Sequence, residues 1–263
     1  MRSVLAAAFA FALSVPAAAN PTIERVTFPT LDPAFKGELQ ATIYRPAEGK
    51  RNPAMILLSG CFGISRSTLA WAEWFSSKGY EAIVLDSLGP RHVEDVCDGG
   101  YPSEGARAYD AYAALAFLRT RPDVDVDRVG VIGWSHGGGA VLIADDTRFA
   151  TTIAGTKFRA AIAFYPDCES MPAAAVSAPL LIFTGGQDDW TPPEQCTEVA
   201  KRLAHAGQPV AEHRYPFATH GFDSVYDPGV LKLRGQVHHI RYNGAAVGDA
   251  RARITAFLDD VMK

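Results

Sequence analysis

The strongest chemical signal in the chain is Gly133-Trp134-Ser135-His136-Gly137. It follows the apolar run Val129-Gly130-Val131-Ile132, which reads as a strand, and precedes the small residues Gly138-Gly139-Ala140, which open a helix. A serine at a tight strand-to-helix turn is held at strained backbone angles, with its hydroxyl exposed at the C-terminal edge of the sheet. Glycine two residues before and two after leaves room where a Cβ would crowd the turn. Gly-rich turns also serve packing or phosphate binding. Here the strand and the helix are both in place, so Ser135 reads as a nucleophile.

A serine hydroxyl needs a base, and the base needs an orienting acid. In the α/β-hydrolase fold they follow in the order serine, acid, histidine. The predicted strand 180–184 ends in Gly185-Gly186-Gln187-Asp188-Asp189, and the predicted strand 211–215 is followed by Pro216-Phe217-Ala218-Thr219-His220. Asp188 fits the spacing of Gly185, Asp188 and Pro192, whereas Asp189 reads as a cap or turn carboxylate for the next helix. Adjacent residues of an extended segment point to opposite sides, so both should not reach His220. Of the other histidines, His213 lies in a strand and His205 in a helix, while His92, His238 and His239 read as exposed loop residues. An oxyanion needs backbone donors. His136 N–H supplies one, and the loop Ser59-Gly60-Cys61-Phe62-Gly63 supplies the other through Cys61 N–H, or through Phe62 N–H. Cys61 lacks the turn context of a nucleophile. Phe62, Arg91 and Trp134 are the candidate substrate contacts, with Arg91 suited to a carboxylate or to an ordinary salt bridge.

These residues need a sheet whose strands end on one edge. Short β-branched runs at 24–28, 40–44, 54–58, 82–85, 129–134, 160–165, 180–184 and 211–215 predict strands. Helical patterns cover 68–77, 104–119, 136–144, 193–206 and 249–262. The first two strands form a hairpin, and the later βα alternation implies a mainly parallel sheet with helices on both faces. No linker or repeat divides residues 20–263, so one α/β domain is expected. Two long connections, 87–103 and 221–248, stand where binding sites are usually built.

Arg2, an apolar run over 4–15 and Ala17-Ala18-Ala19 have the layout of a secretory signal peptide cleaved after Ala19. The run is short for a membrane span, although an uncleaved anchor is the competing reading. A net charge of −4 without a basic cluster argues against nucleic acid or a stable membrane surface as partner. The oligomeric state is not legible. No Cys/His set has zinc spacing, so neither a metal nor a cofactor is expected. Four cysteines in an exported chain suit disulfides, and sequence alone leaves three connectivities. Cys61 and Cys97 follow neighbouring predicted strands, as do Cys168 and Cys196 further on, so those are the expected pairs.

Taken in order, several segments resemble the dienelactone hydrolase family. They are Ser59-Gly60-Cys61-Phe62-Gly63, Gly79-Tyr80 leading to Asp86-Ser87-Leu88-Gly89-Pro90-Arg91, the Ser135 turn, Tyr165-Pro166, Gly185 to Asp188 and His220-Gly221-Phe222. The resemblance implies cofactor-independent hydrolysis of a small ester or lactone. Ser135 stands where the best-known members carry a cysteine, and Gly60 about where they carry an acid. A peptidase acting on short peptides and a binding protein on a hydrolase scaffold are the rival functions.

Overall fold

The computed structural model describes residues 22–47, 51–153, 157–169, 174–225, 229–233 and 235–263. The expected leader and its cleavage point lie outside these residues. Eight strands build the main sheet: β1 (Thr22–Pro29), β2 (Glu38–Arg45), β3 (Asn52–Leu58), β4 (Glu81–Asp86), β5 (Val124–Trp134), β6 (Ala160–Phe164), β7 (Leu180–Gly185) and β8 (Val210–Tyr215). Their order across the sheet is β1-β2-β4-β3-β5-β6-β7-β8. The β1–β2 and β2–β4 pairings are antiparallel and the rest are parallel. Strands β3 to β8 therefore finish on one edge.

The apolar runs that lack alternation are explained by burial on both faces. Ala54, Ile56 and Leu58 of β3 enter one core cluster, and Met55 and Leu57 enter the other. In β7, Leu180 and Ile182 face the first cluster, and Leu181 and Phe183 the second. The first cluster is closed by α2 (Glu104–Leu118), α3 (His136–Asp145), α4 (Thr147–Thr152) and α5 (Pro193–His205). The second is closed by α1 (Arg66–Ser77) and α6 (Gly244–Val261). Side chains fix where these helices begin. Ser65 and Thr68 form a capping box on α1, and Ser103 accepts the Ala106 N–H at the start of α2.

Four features depart from the sequence expectation. The connection 221–248 contains a hairpin of β9 (Gly229–Leu233) and β10 (Gln236–Ile240), and α6 starts at Gly244, capped by Asn243. The hairpin strands are five residues each and turn through Gly235 at positive φ; β9 alternates between partly buried and exposed, and β10 buries only His238 and Ile240. That composition carries little strand signal outside its tertiary setting. Strand β5 also begins at Val124, where Asn52 pairs with it, and the short α4 was not expected.

Both expected disulfides are present. Cys61–Cys97 has its Cα atoms 4.8 Å apart and Cys168–Cys196 has them 5.1 Å apart. No helix among the described residues is long and apolar enough to cross a membrane.

Candidate active site

Ser135 follows β5 directly, with φ 52° and ψ −120°, and caps α3. A non-glycine residue at positive φ is costly and persists only where its surroundings enforce it. Here the enforcement is steric. A Cβ on Gly133 would lie 2.1 Å from the Gly137 carbonyl oxygen, and one on Gly137 would lie 2.3 Å from the carbonyl oxygens of Leu58 and Ser59. Both positions must be glycine for α3 to start so close to β5 and β3. The Ser135 N–H donates to Phe164 O on β6, which completes the turn.

The other two residues arrive from the ends of β7 and β8. His220 Nε2 lies 3.0 Å from Ser135 Oγ, and His220 Nδ1 lies 2.9 Å from Asp188 Oδ2. A carboxylate only accepts, so Nδ1 carries the proton and Nε2 is left to accept the serine O–H. His220 and Asp188 are buried. The second Asp188 oxygen, Oδ1, accepts the Trp190 and Thr191 N–H groups. The turn-carboxylate role expected of Asp189 thus belongs to Asp188, which holds the backbone with one oxygen and His220 with the other. Asp189 is turned away. Its carboxylate accepts from the N–H and Nδ1 of His239 on β10.

Thr191 was not legible in the sequence. Its Oγ1 lies 3.0 Å from Asp188 Oδ2, 3.1 Å from His220 Nδ1 and 3.1 Å from Tyr165 O. Trp190 lies on His220, with ring centroids 4.9 Å apart, and also stacks on His238. His238 is buried, not an exposed loop residue. The hairpin is joined to the site through this stack and through a bridge between Ile240 and His220.

The residues of both expected oxyanion donors, Cys61 and His136, stand beside Ser135. His136 is the first residue of α3, where N–H groups have no partner within the helix. The loop 59–63 runs beside Ser135, with the Gly60 Cβ direction 3.9 Å from Ser135 Cβ. This loop is held by the Cys61–Cys97 bridge and by a Val96 N–H to Cys61 O bond. It is also held by Arg107 of α2, which is fully buried. Arg107 Nη2 donates to Ser59 O at 2.6 Å and to Ser59 Oγ at 3.2 Å, while Nη1 donates to His136 Nδ1 at 3.0 Å. One guanidinium therefore ties the loop to the serine turn. Burial pulls the Arg107 pKa down to about 10, so it remains charged at neutral pH. Burial, reinforced by the Arg107 charge, pushes His136 down to about 3, which keeps that ring neutral and able to accept. Position 107 falls on the inward helical stripe with Ala111, Ala114 and Leu118, and a charge on such a stripe is a signal the sequence did offer.

Of the candidate substrate contacts, Phe62 and Trp134 line a cavity of about 390 Å³ beside Ser135. Arg91 does not line it, which corrects that expectation. Its guanidinium is buried and bound by both oxygens of Asp110, at 2.8 and 2.9 Å, by Asp32 at 3.0 Å and by Ser87 O. The loop start that suggested a substrate contact is folded back onto α2 instead. Sequence reading also missed Tyr165, Trp190, Asp223, Leu231 and Ile240 as cavity lining.

The model of the dienelactone hydrolase family matches residues 39–262 of the chain. The quorum-quenching protein AidA of Acinetobacter baumannii (strain MDR-ZJ06) is 34% identical over 128 residues, 45% of this chain and 40% of that protein. The match thus spans less than half the length of that relative. A protein named "Probable 2-oxo-3-(5-oxofuran-2-ylidene)propanoate lactonase" from Bradyrhizobium sp is 24% identical over 227 residues, covering 81% of this chain and 91% of that one. Among solved structures, a dienelactone hydrolase-like promiscuous phosphotriesterase from metagenomic libraries has a TM-score of 0.74 at 18% identity, over 93% of this chain and 100% of that chain. At that identity the likeness is one of fold, and the fold is that of the α/β hydrolases.

Proposed function

The chain belongs to the dienelactone hydrolase family, and we propose that it cleaves small esters or lactones through an acyl-enzyme on Ser135. The observation that carries this reading is the continuous hydrogen-bonded line from Ser135 Oγ through His220 to Asp188, at 3.0 and 2.9 Å. In it, His220 Nε2 takes the serine proton as Oγ attacks the carbonyl carbon. Asp188 keeps Nδ1 protonated and stabilises the imidazolium that forms. The carbonyl oxygen gains charge as the tetrahedral intermediate forms, and the N–H groups of Cys61 and His136 receive it. Collapse of that intermediate expels the alcohol, protonated by His220. Water activated by the same ring then releases the acid. In a lactone the alcohol and the acid leave as one molecule.

The disulfides agree with an exported protein, and we assign the chain to an oxidising extracytoplasmic compartment. The proposal is tested with a fluorophosphonate probe, which phosphonylates an activated serine. Labelling should be stoichiometric, and peptide mass mapping should place the adduct on Ser135. Absence of labelling in folded protein would reject a serine hydrolase and favour a binding role on this scaffold. Comparing an ester with the amide of the same acyl group separates esterase from peptidase, and the ester should be the better substrate.

Arg107 has a positioning role in this scheme, because it fixes the relation between the two oxyanion donors without touching substrate. Removing one such donor outright costs about 10²–10³ in kcat. Loosening both should cost less, so Arg107→Met should lower kcat by about ten- to a hundredfold. KM should change little, because the missing interaction forms in the transition state. Arg107→Lys keeps the charge but cannot bridge both partners, and should recover only part of the loss. Steady-state kinetics beside a thermal melt check this. A folded Arg107→Met enzyme with wild-type kcat would remove Arg107 from the scheme.

A further inference from the structure

Resting on the hydrolase reading above, we infer that the site selects apolar, uncharged acyl groups. We assign the rejection of substrates bearing their own carboxylate to Asp223.

The cavity beside Ser135 measures about 390 Å³, at the small end of ligand sites, and its wall is largely apolar through Phe62, Trp134, Trp190, Leu231 and Ile240. Among the described residues its lining contains no lysine or arginine. The one arginine that sequence placed near a substrate carboxylate, Arg91, is committed to Asp110 and Asp32. The lining does contain an acid. Asp223 is buried in the cavity wall. Its Oδ2 accepts the Trp71 indole N–H at 2.7 Å, and its Oδ1 accepts the Tyr165 O–H at 2.5 Å. Burial pushes this carboxyl above the usual carboxylate range, and the two fixed donors, one on each oxygen, oppose that shift in favour of the ionised form. No cation among the described residues forms an ion pair with it.

A substrate carboxylate entering this space would lose its hydration to an apolar wall and meet a like charge. Both effects oppose binding, and each grows as water is excluded. A methyl or methylene terminus loses nothing on entry and gains burial. The charge selectivity is therefore set by the fold around Asp223 and not by the reacting groups, which treat all carbonyls alike.

The test uses the full mature chain and three p-nitrophenyl esters of similar length: hexanoate, the half-amide adipamate and the half-acid adipate. The first is apolar, the second polar and neutral, and the third anionic. The expected order of kcat/KM is hexanoate, then adipamate, with adipate about a hundredfold below adipamate at low salt. Asp223→Asn should raise the adipate-to-adipamate ratio at least tenfold. Should that variant fail to fold, Leu231→Lys, which places a cation on the lining, should raise the same ratio. Adipate within tenfold of adipamate in the wild type would overturn the proposal, as would a ratio that neither variant moves. An adipamate rate as low as that of adipate would show that polarity and not charge is rejected, which also overturns the role of Asp223. Failure to hydrolyse hexanoate, with stoichiometric labelling of Ser135, would reject this substrate class and leave the hydrolase reading standing. Loss of labelling in the wild type would reject the hydrolase reading itself.

Discussion

Ser135→Ala should lower kcat/KM on any substrate ester by about 10⁴–10⁶ while leaving the melting temperature within a few degrees of wild type. The size of the effect follows from the geometry. His220 Nε2 has one acceptor position, and it is occupied by Ser135 Oγ at 3.0 Å. Removing the hydroxyl leaves no atom within reach of both the base and a substrate carbonyl. The residual rate is then that of water attacking a carbonyl still polarised by the proposed oxyanion donors, the N–H groups of Cys61 and His136. Two controls follow from the residues acting as a unit. His220→Ala should cost nearly as much as Ser135→Ala, and the double variant scarcely more than either. Kinetics within tenfold of wild type in Ser135→Ala would dispose of the nucleophile assignment. Stability should change little, because the strain at φ 52° is enforced by Gly133 and Gly137 and not by the hydroxyl.

The parts of the site that were legible in the sequence share a physical property. Ser135 and Asp188 each stand just past the end of a buried parallel strand, which announces itself as an apolar run, and His220 follows the half-exposed parallel edge strand β8. A parallel sheet sends all those ends to one edge, so local patterns were enough to bring distant residues together. Cys61–Cys97 and Cys168–Cys196 were legible by the same reasoning. What was not legible depends on packing between elements. Arg91 sits at the start of a loop in sequence, but Asp110, nineteen residues on, captures it from α2. His238 and His239 follow no strong strand signal, yet the β9–β10 hairpin carries one against Trp190 and the other onto Asp189. Asp223 looked like part of a long polar connection, and its role appears only when Trp71 of α1 and Tyr165 after β6 converge on it. In each case the partner lies on another element, beyond the reach of periodicity or motif spacing.

Asp188→Asn and Asp189→Asn change neighbouring residues in the same way chemically, yet they should differ by about three orders of magnitude in kcat/KM, with the loss at 188 near 10⁴. The asymmetry lies in how each carboxylate is used. At 188 one oxygen is bound by two backbone donors, the N–H groups of Trp190 and Thr191, and the other faces His220 Nδ1. An asparagine there must keep its carbonyl oxygen on the backbone donors, because turning its NH₂ toward two N–H groups would oppose donor to donor. The NH₂ is then directed at His220 Nδ1, which must accept. The ring proton moves to Nε2, and the base can no longer take the proton of Ser135. The wrong tautomer is thus enforced by the turn and not merely permitted. At 189 the carboxylate binds His239, which touches none of the reacting groups, and an asparagine oxygen can still accept from the His239 N–H. Asp189→Asn should therefore keep kcat/KM within about tenfold of wild type, its cost confined to the seating of the hairpin. Circular dichroism on both variants separates loss of fold from loss of tautomer. If Asp189→Asn proved the more damaging of the two in folded protein, the carboxylate that orients His220 would be the one on the hairpin side, and the hydrogen-bonded line from Ser135 would have to be redrawn through it.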